Sequence, residues 1–437
     1  METRRKTRWQ PIGLYHHRAR PGAIIVLLLL LTSLNGYSQQ NSTLFRYLFE
    51  PGERYRILSQ VNQSVYQDGF YLFDTTQVNR IQVEVLSVEP QPVQFAAPRP
   101  WNLNPNSQRA FHRLFYQNTA LAQSAFQVLQ LEREYTAEFW RDDQGYFDIG
   151  TQYFVPTVQN VPVFPPWPLQ PGDQWNAPGI EVHDLRGDFF GLNEPFRFSM
   201  PVQYRYLGEA QWEGGTYHLL EIQYQVYYPT RLPRLPRTNP RIITGFSNQL
   251  MYWDANRGRP VYYEEEYELS LILMDGTTIT FAGTADARVI DHQPLNRSET
   301  LQDLTDQLDS AQIRDVSVRE TDQGISLVLE DIQFLPDSSA LLPSEEEKLR
   351  QIAQILMTYP DRELLVTGHT ALAGTPQGRQ QLSDERARVV GQFLLDLGIR
   401  DRSQIMFQGL GANDPIGDNA TEEGRRKNRR VEILILD

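Results

Sequence analysis

Few residues in this chain have the types and spacing that catalysis or metal binding requires. Downstream of residue 38 the histidines are scattered, without metal-ligand spacing, at His112, His183, His218, His292 and His369. His183 precedes Asp184 and lies near Glu181, but a surface loop explains this group more simply than a catalytic site does. The sequence contains neither a Gly-x-Ser-x-Gly nucleophile elbow nor a phosphate-binding loop. We therefore predict that the protein is not an enzyme and needs neither cofactor nor metal.

One basic segment stands out in this acidic chain. Arg231, Arg234 and Arg237 alternate with leucine and proline, and Arg241 follows closely. Guanidinium groups suit carboxylates and phosphates because their planar shape allows paired hydrogen bonds. The segment is either a contact for an anionic wall or lipid head group, or a solvated loop between two strands. Isolated charge runs favour the loop.

The N-terminus is typical of a secretory signal peptide. Basic residues precede a purely apolar run, Ala23–Leu31, and Gly36-Tyr37-Ser38 offers small residues for cleavage. The wider apolar stretch, Gly22–Leu34, is shorter than the roughly 20 residues of a membrane-spanning helix. We expect a signal peptide over 1–38, cleavage near Ser38, and no helical membrane span in the mature chain. The expected location is the periplasm, free or associated with the outer membrane.

Composition limits the partners. The formal net charge of −13 becomes about −18 when a leader with six bases and one acid is removed, which disfavours nucleic acid as a partner. The sequence contains no cysteine, so the fold uses no disulfide bonds, and no cysteine is present at the cleavage site to carry a lipid.

Residues 39–290 have the pattern of antiparallel β-structure. In Thr216–Tyr228, apolar and polar side chains alternate with the period of two that is typical of a strand with one wet face. Turn dipeptides that favour tight hairpins separate such runs at Asp68-Gly69, Gly214-Gly215 and Asp275-Gly276. A weak helical period appears only over Phe111–Gln130.

The division of this β-rich part rests on proline. Val163–Pro168 cannot form a central strand, so we place a crossover near 156–172 between β-rich domains at 39–160 and 161–290. The alternatives are one β-domain, or a polyproline ligand for an aromatic groove. A membrane-inserted sheet is a further possibility for residues 40–290. The acidic run Glu264-Glu265-Glu266 favours a soluble region because charge on a lipid-facing surface is costly.

A helical linker is predicted over 291–315. Ser298 begins a short helix that places Leu301, Leu304 and Leu308 on one face. Such a stripe more often docks on a neighbouring domain than on an outside partner.

Residues 316–437 predict strands that alternate with two helices. Ser344 begins a capping box for the first helix, and Ser383 caps the second, which Gly398 ends. The overall prediction is a multidomain protein, with an all-β antiparallel N-terminal region followed by an α+β sandwich of two main helices on a mixed sheet.

Ordered motifs in this segment resemble the OmpA-like domain family. They are Phe334 and Asp337-Ser338, Gly368-His369-Thr370, Leu382-Ser383-x-x-Arg386-Ala387, Gly409-x-Gly411, Pro415-Ile416, Asn419, Thr421, Gly424-Arg425 and Asn428-Arg429-Arg430-Val431-Glu432. The resemblance covers about 120 residues, a little over a quarter of the chain, and says nothing about residues 40–290.

The resemblance implies a site for the zwitterionic diaminopimelate of the peptidoglycan stem peptide. Family members bind its ammonium through an aspartate after Gly-His-Thr and its carboxylate through the arginine of Leu-Ser-x-x-Arg-Ala. The arginine is Arg386 here, and we expect the free amides of a helix capped by Ser383 to assist it. The aspartate is replaced by Ala371, and an asparagine that usually precedes Leu-Ser is Arg379. By resemblance, the candidate ligand-binding residues are Asp337, Thr370, Ala371, Arg379, Arg386 and Arg429.

Two functional interpretations remain open. The protein is an envelope tether that associates with peptidoglycan, or with a modified wall ligand, through Arg386. Alternatively, it is a non-enzymatic scaffold, bound to other envelope proteins, whose domain has lost diaminopimelate binding because the aspartate is missing. Loss of one charge-assisted bond costs about 1.5–3 kcal/mol, enough to make the second interpretation serious.

Overall fold

The computed structural model describes residues 42–91, 100–101, 106–121, 127–186, 194–230, 239–291, 293–330, 332–333 and 341–437. The predicted signal peptide, the basic segment 231–237, and the predicted first-strand residues around Asp337 lie outside these ranges.

The N-terminal part is built from long antiparallel strands. Their bounds are β1 Arg54–Gln67, β2 Phe70–Pro90, β3 Gln108–Leu121, β4 Leu129–Asp142, β5 Phe147–Ile149, β6 Val158–Gln159, β7 Gln174–His183, β8 Phe196–Trp212, β9 Gly215–Pro229, β10 Pro240–Asp254, β11 Arg259–Leu273 and β12 Thr278–Asp291. The helix suggested by the weak period over Phe111–Gln130 is wrong, because β3 covers this stretch up to Leu121 and β4 begins at Leu129. Within β3, Leu114 and Tyr116 pack in an apolar cluster with residues of neighbouring strands, so period-two burial decides the structure.

Antiparallel neighbours join these strands into one sheet. From β5 the order runs through β4, β3 and β2 to β1, then from β12 through β11, β10, β9, β8 and β7 to β6. The pairing of β1 with β12 extends from Tyr55↔Asp291 to Gln67↔Ile279. The sheet therefore continues across the boundary that the sequence placed at 160/161.

The C-terminal part has the predicted α+β character. Its elements are α1 Arg297–Ser310, β13 Val316–Thr321, β14 Gly324–Glu330, α2 Pro343–Leu356, β15 Leu364–Gly368, α3 Pro376–Asp396, β16 Ile405–Gly409, α4 Glu422–Asn428 and β17 Arg430–Leu436. The strand order is β13, β14, β17, β15, β16, and only β15 and β16 are parallel. Among the described residues, no helix is long and apolar enough to cross a membrane.

Three helices contribute to the apolar core on one face of this C-terminal sheet. Leu349 and Ile352 of α2 and Val390 of α3 are fully buried against the strands. Leu304 and Leu308 of α1 are buried in the same core, so the stripe of the linker helix docks on the neighbouring domain as predicted. The predicted Ser344 cap is wrong, because α2 begins at Pro343 after Leu342, which makes no side-chain capping bond.

The opposite face of the C-terminal sheet packs on the β-rich part. Leu365, Met406 and Leu434 form an apolar cluster with Val78 of β2 and Leu129 of β4. Strands β16 and β4 also pair in parallel at Met406↔Leu129 and Phe407↔Gln130, which makes the two sheets continuous. Burying each large apolar side chain contributes roughly 1.5–3 kcal/mol, so this contact is a substantial part of the fold.

A buried ion cluster joins the two parts beside these apolar contacts. Glu363 Oε2 accepts a hydrogen bond from Arg56 Nη1 at 2.9 Å, and Oε1 accepts one from Arg80 Nε at 3.1 Å. Arg56 and Arg80 also donate to the backbone carbonyl oxygens of Asp437 and Ser403. Burial lowers the pKa of Arg80, and the charge of Glu363 opposes that shift. Each of these buried charges therefore depends on the cluster for its counter-charge.

We expect Glu363→Ala to lower the free energy of unfolding by about 3–5 kcal/mol, because two buried guanidinium groups lose their counter-charge. Denaturant titration of the full chain measures the effect. Glu423→Ala is the control, since the Glu423 side chain is 77% exposed beside Lys427 and its removal should cost at most about 1 kcal/mol. Equal losses for the two variants would contradict a structural role for the buried cluster.

Candidate ligand-binding site

Two glycines set the position of α3 against the strand ends. Gly368 ends β15 and Gly409 ends β16, and both lie directly under the Ser383–Asp384 stretch of α3. A Cβ at either position would clash with the backbone of that stretch, so only glycine permits the close approach. This packing fixes the part of α3 that carries Arg386.

Ser383 has a different role from the one predicted. The structure begins α3 at Pro376, with Thr375 as the N-cap whose hydroxyl accepts from Gly378 N at 3.1 Å. Ser383 is buried in mid-helix, where its Oγ donates to Gln380 O and accepts from Gly411 N at 2.9 Å. The prediction that helix amides assist Arg386 is therefore wrong, since Arg386 lies more than two turns beyond the free amide groups.

The loop that follows Gly-His-Thr is held by two asparagines. Asn419 Oδ1 accepts from Leu372 N at 2.9 Å, and Asn428 Nδ2 donates to the same Oδ1 at 3.0 Å. Asn428 Oδ1 also accepts from the backbone amides of Ile416 and Gly417 at 2.8 Å each. These contacts connect the loop after β15 to the loop before α4, so the two loops support each other.

A cluster of charged groups lies beneath this loop. Arg430 is fully buried and donates to Glu432 Oε1 at 2.6 Å and to Asp414 Oδ2 at 2.8 Å. Arg319 Nη2 lies 2.6 Å from each oxygen of Glu432. Burial alone would raise the pKa of Glu432, but the hydrogen bond from Arg319 and the charge of Arg430 outweigh it and lower that pKa.

His369 lies between these carboxylates and is only 2% exposed. Burial lowers its pKa to about 4, and the nearby charge of Arg430 acts in the same direction, so the imidazole is neutral at pH 7. Ligand atoms of His369, Asp414 and Glu432 lie within 4.8 Å of one another, which resembles a metal-binding group. Arg430 already binds both carboxylates, so the cluster acts as an ion-pair support beneath the site.

Three predicted site residues lie on elements that meet at the ends of β15 and β16. Thr370 and Ala371 are buried in the loop after β15, where Thr370 N donates to Gly411 O at 2.8 Å. Arg386 is half-buried on α3, next to Ala387, which lies against Gly368.

The remaining candidates lie at the margins. Arg379 is partly buried in the first turns of α3, and its Nη1 donates to Gly374 O at 2.7 Å. Arg429 follows α4 and donates to Glu422 Oε1 at 3.1 Å. Asp337 lies outside the described residues, and the structure gives no position for it.

The side chains can recognise a carboxylate more readily than an ammonium. Arg386 supplies a guanidinium group, whereas the position after Thr370 holds the methyl group of Ala371, which is 6% exposed. The nearby carboxylate of Asp414 is bound to Arg430. Leu372 is 60% exposed beside this position and gives the rim an apolar surface.

Sequence reasoning missed one participant. Arg319 lies on β13, more than 110 residues before Glu432, and its sequence neighbours give no sign that it binds that carboxylate. The signal available in the sequence was the alternation of β13, which places Arg319 and Ser317 on the face of the strand opposite Val316 and Val318.

A comparison with protein-family models matches residues 333–429 to the OmpA family. The chain is 38% identical over 104 residues to the peptidoglycan-binding protein ArfA of Mycobacterium tuberculosis H37Rv, covering 24% of this chain and 32% of that protein. It is 35% identical over 126 residues to the probable lipoprotein YiaD of Escherichia coli K12, covering 28% and 57% respectively.

A further relative is outer membrane porin F of Pseudomonas fluorescens, 38% identical over 105 residues, or 24% of this chain and 32% of that protein. The chain thus spans between about a third and somewhat over half the length of these relatives, and the similarity lies in its C-terminal part. The glycines and asparagines described above, together with Arg379, Arg386 and Arg429, lie within the matched segment, whereas Arg319 precedes it and Arg430 directly follows it. Residues 333–429 of this protein form a domain of the OmpA family.

Proposed function

We propose that this protein is a non-catalytic component of the bacterial cell envelope whose OmpA-family domain associates with peptidoglycan, or with a modified wall ligand, through Arg386. The observation that carries the proposal is the packing of α3 on Gly368 and Gly409, which fixes the helix segment that carries Arg386 on the end of β15, the strand that leads into the loop of Thr370 and Ala371. The name of ArfA, which includes peptidoglycan binding, and that of porin F, which includes the outer membrane, support this assignment.

The location follows from the same proposal. Export by a signal peptide over 1–38 would place the mature chain in the periplasm, free or at the outer membrane. The β-rich part, residues 42–291, would then be the partner-binding half of a tether, with the wall bound at the other end.

A specific observation favours a second function, that of a scaffold without diaminopimelate binding. Ala371 occupies the position where the family has its aspartate, and Asp414 nearby is bound to Arg430 at 2.8 Å. A zwitterionic ligand would therefore have a partner for its carboxylate and a poor environment for its ammonium. The protein would then use its OmpA-family domain as a structural support for contacts with other envelope proteins.

Co-sedimentation with purified sacculi separates the two functions. The mature chain should pellet with sacculi, and Arg386→Ala should reduce the bound fraction about tenfold or more, because the ligand carboxylate loses a charge-assisted pair. Arg388→Ala is the control, since it removes an equal charge from the same helix and should pellet like wild type. Wild-type protein that stays in the supernatant would favour the scaffold.

The missing counter-charge provides a second test. Ala371→Asp should strengthen binding of a diaminopimelate-containing stem peptide by roughly 10- to 100-fold, the effect of one charge-assisted pair. Arg386→Ala in that background should abolish the gain, and Arg379→Asn should increase it if Arg379 otherwise pairs with the new aspartate. Calorimetric titration with one stem peptide measures all variants.

Thermal unfolding of each variant is the necessary control, because residue 371 is buried and an aspartate there costs stability without a partner. Folded variants that all bind equally and negligibly would show that the pocket differs from the family beyond residues 371 and 379. The scaffold function would then replace the wall-binding one.

A further inference from the structure

A cleft lies at the junction of the two parts of the chain, away from Arg386. Its volume is about 320 Å³, within the range of small-molecule sites, and such sites often occur where domains meet. One wall is the sheet of β1, β2 and β3, and the other is formed by the start of α1, the β13–β14 turn and the end of β17.

The sheet wall is an ordered array of side chains on one face. Arg54, Glu84 and Arg113 are direct cross-strand neighbours. Gln82 and Phe115 form the next row, on the same face because alternate residues of a strand share a face. This is also the face from which Arg56 and Arg80 reach Glu363, so the cleft is the open margin of the contact between the two parts.

The opposite wall is held by hydrogen bonds. Arg297 Nη2 donates to Asp322 O at 2.8 Å, and Asp437 N donates to Gln323 O at 3.0 Å. Gln117 Nε2 donates to Glu134 at 2.8 Å on the sheet side. Hydrogen bonds therefore hold lining residues in place on both walls of the cleft.

The charges in the cleft balance. Three arginine side chains in the lining, Arg54, Arg113 and Arg297, accompany three side-chain carboxylates, those of Glu84, Asp322 and Asp437. Arg54 binds Glu84 at 2.6 Å, and Arg297 binds Asp437 at 2.5 Å. Arg113 also lies within ion-pair distance of Glu84 and Glu138, so a strongly charged ligand would have to displace existing ion pairs, and the lining favours a neutral ligand.

The hydrogen-bonding groups indicate which neutral ligand. Guanidinium, carboxylate and amide groups place hydrogen-bond donors and acceptors side by side, and such pairs can bond two adjacent hydroxyl groups of a ligand. Phe115 is partly exposed among them and offers a flat apolar surface to the C–H face of a sugar ring. Most lining residues are polar, which argues against an apolar ligand.

We propose that this cleft binds a neutral saccharide, with Glu84, Arg113 and Gln82 bonding its hydroxyl groups and Phe115 supporting one ring. The proposal is independent of the stem-peptide site, because it uses other residues and another ligand class. Saccharide binding can therefore hold while stem-peptide binding fails, and the reverse.

Calorimetric titration of the full chain with chitotetraose and, separately, with maltotetraose tests the proposal. We expect saturable binding of at least one probe. Preference for chitotetraose would indicate an acetylated amino-sugar glycan, and preference for maltotetraose a plain glucan. Phe115→Ala should weaken binding about three- to tenfold through loss of the ring contact, and Gln82→Ala about tenfold.

Phe111→Ala is the matched control, because Phe111 lies on the same face of β3, outside the cleft, and packs on Trp140. This variant should bind the probe like wild type, and circular dichroism verifies that all three variants are folded. Failure of both saccharides to bind would overturn the proposal, as would unchanged affinity in folded Phe115→Ala and Gln82→Ala. Binding of a tetrapeptide that depends on Phe115 would assign the cleft to peptides instead.

Discussion

The buried carboxylate of Glu363 lies between the guanidinium groups of Arg56 and Arg80, and the arrangement of the two parts of the chain depends on this contact. A charge that leaves water must find a partner of opposite charge and enough hydrogen bonds, or it destabilises the fold. Each of the two parts supplies what the other lacks, because the arginines belong to the N-terminal sheet and the carboxylate to the C-terminal one. The apolar contact around Met406 excludes water from the same interface.

Close backbone approach is the second constraint, and it acts inside the OmpA-family domain. Gly368 and Gly409 allow α3 to lie directly on two strand ends, and Ser383 fills the space between them with hydrogen bonds to Gln380 and Gly411. The family motif is therefore partly a packing motif. Its glycines and serine position the helix that carries Arg386. The fold can form without the family's aspartate, since Ala371 takes part in none of these packing contacts.

Local patterns predicted the strands well and the long-range contacts poorly. Alternation in Thr216–Tyr228 is directly visible in β9, and the leucine stripe of α1 docks where its periodicity indicated. The weak helical period in β3 misled because burial against neighbouring strands outweighs a local preference. Ser383 misled because a serine before an apolar run resembles a cap, although the helix had already begun at Pro376.

The site shows the same division. The family motifs contain Arg386, Thr370, Asn419 and Asn428, but they did not indicate that the two asparagines hold the loop after β15. The ion cluster at Glu363 and the contact of Arg319 with Glu432 join residues far apart in the chain, and no local pattern records such pairs. The junction cleft depends on how two separately predicted parts meet, which composition and periodicity do not determine.

The pairing of β1 with β12 has a consequence for how the chain reaches this structure. A ribosome makes the N-terminus first, and β1 finds this partner only after roughly 200 further residues have appeared. Until then one edge of β1 presents unpaired amide and carbonyl groups, which is a template for pairing with other chains. Pairing of this free edge of β1 with a strand other than β12 would be a route to misfolding. A chaperone that holds the chain unfolded until β12 has been made would therefore raise the yield of folded protein more than one that accelerates folding.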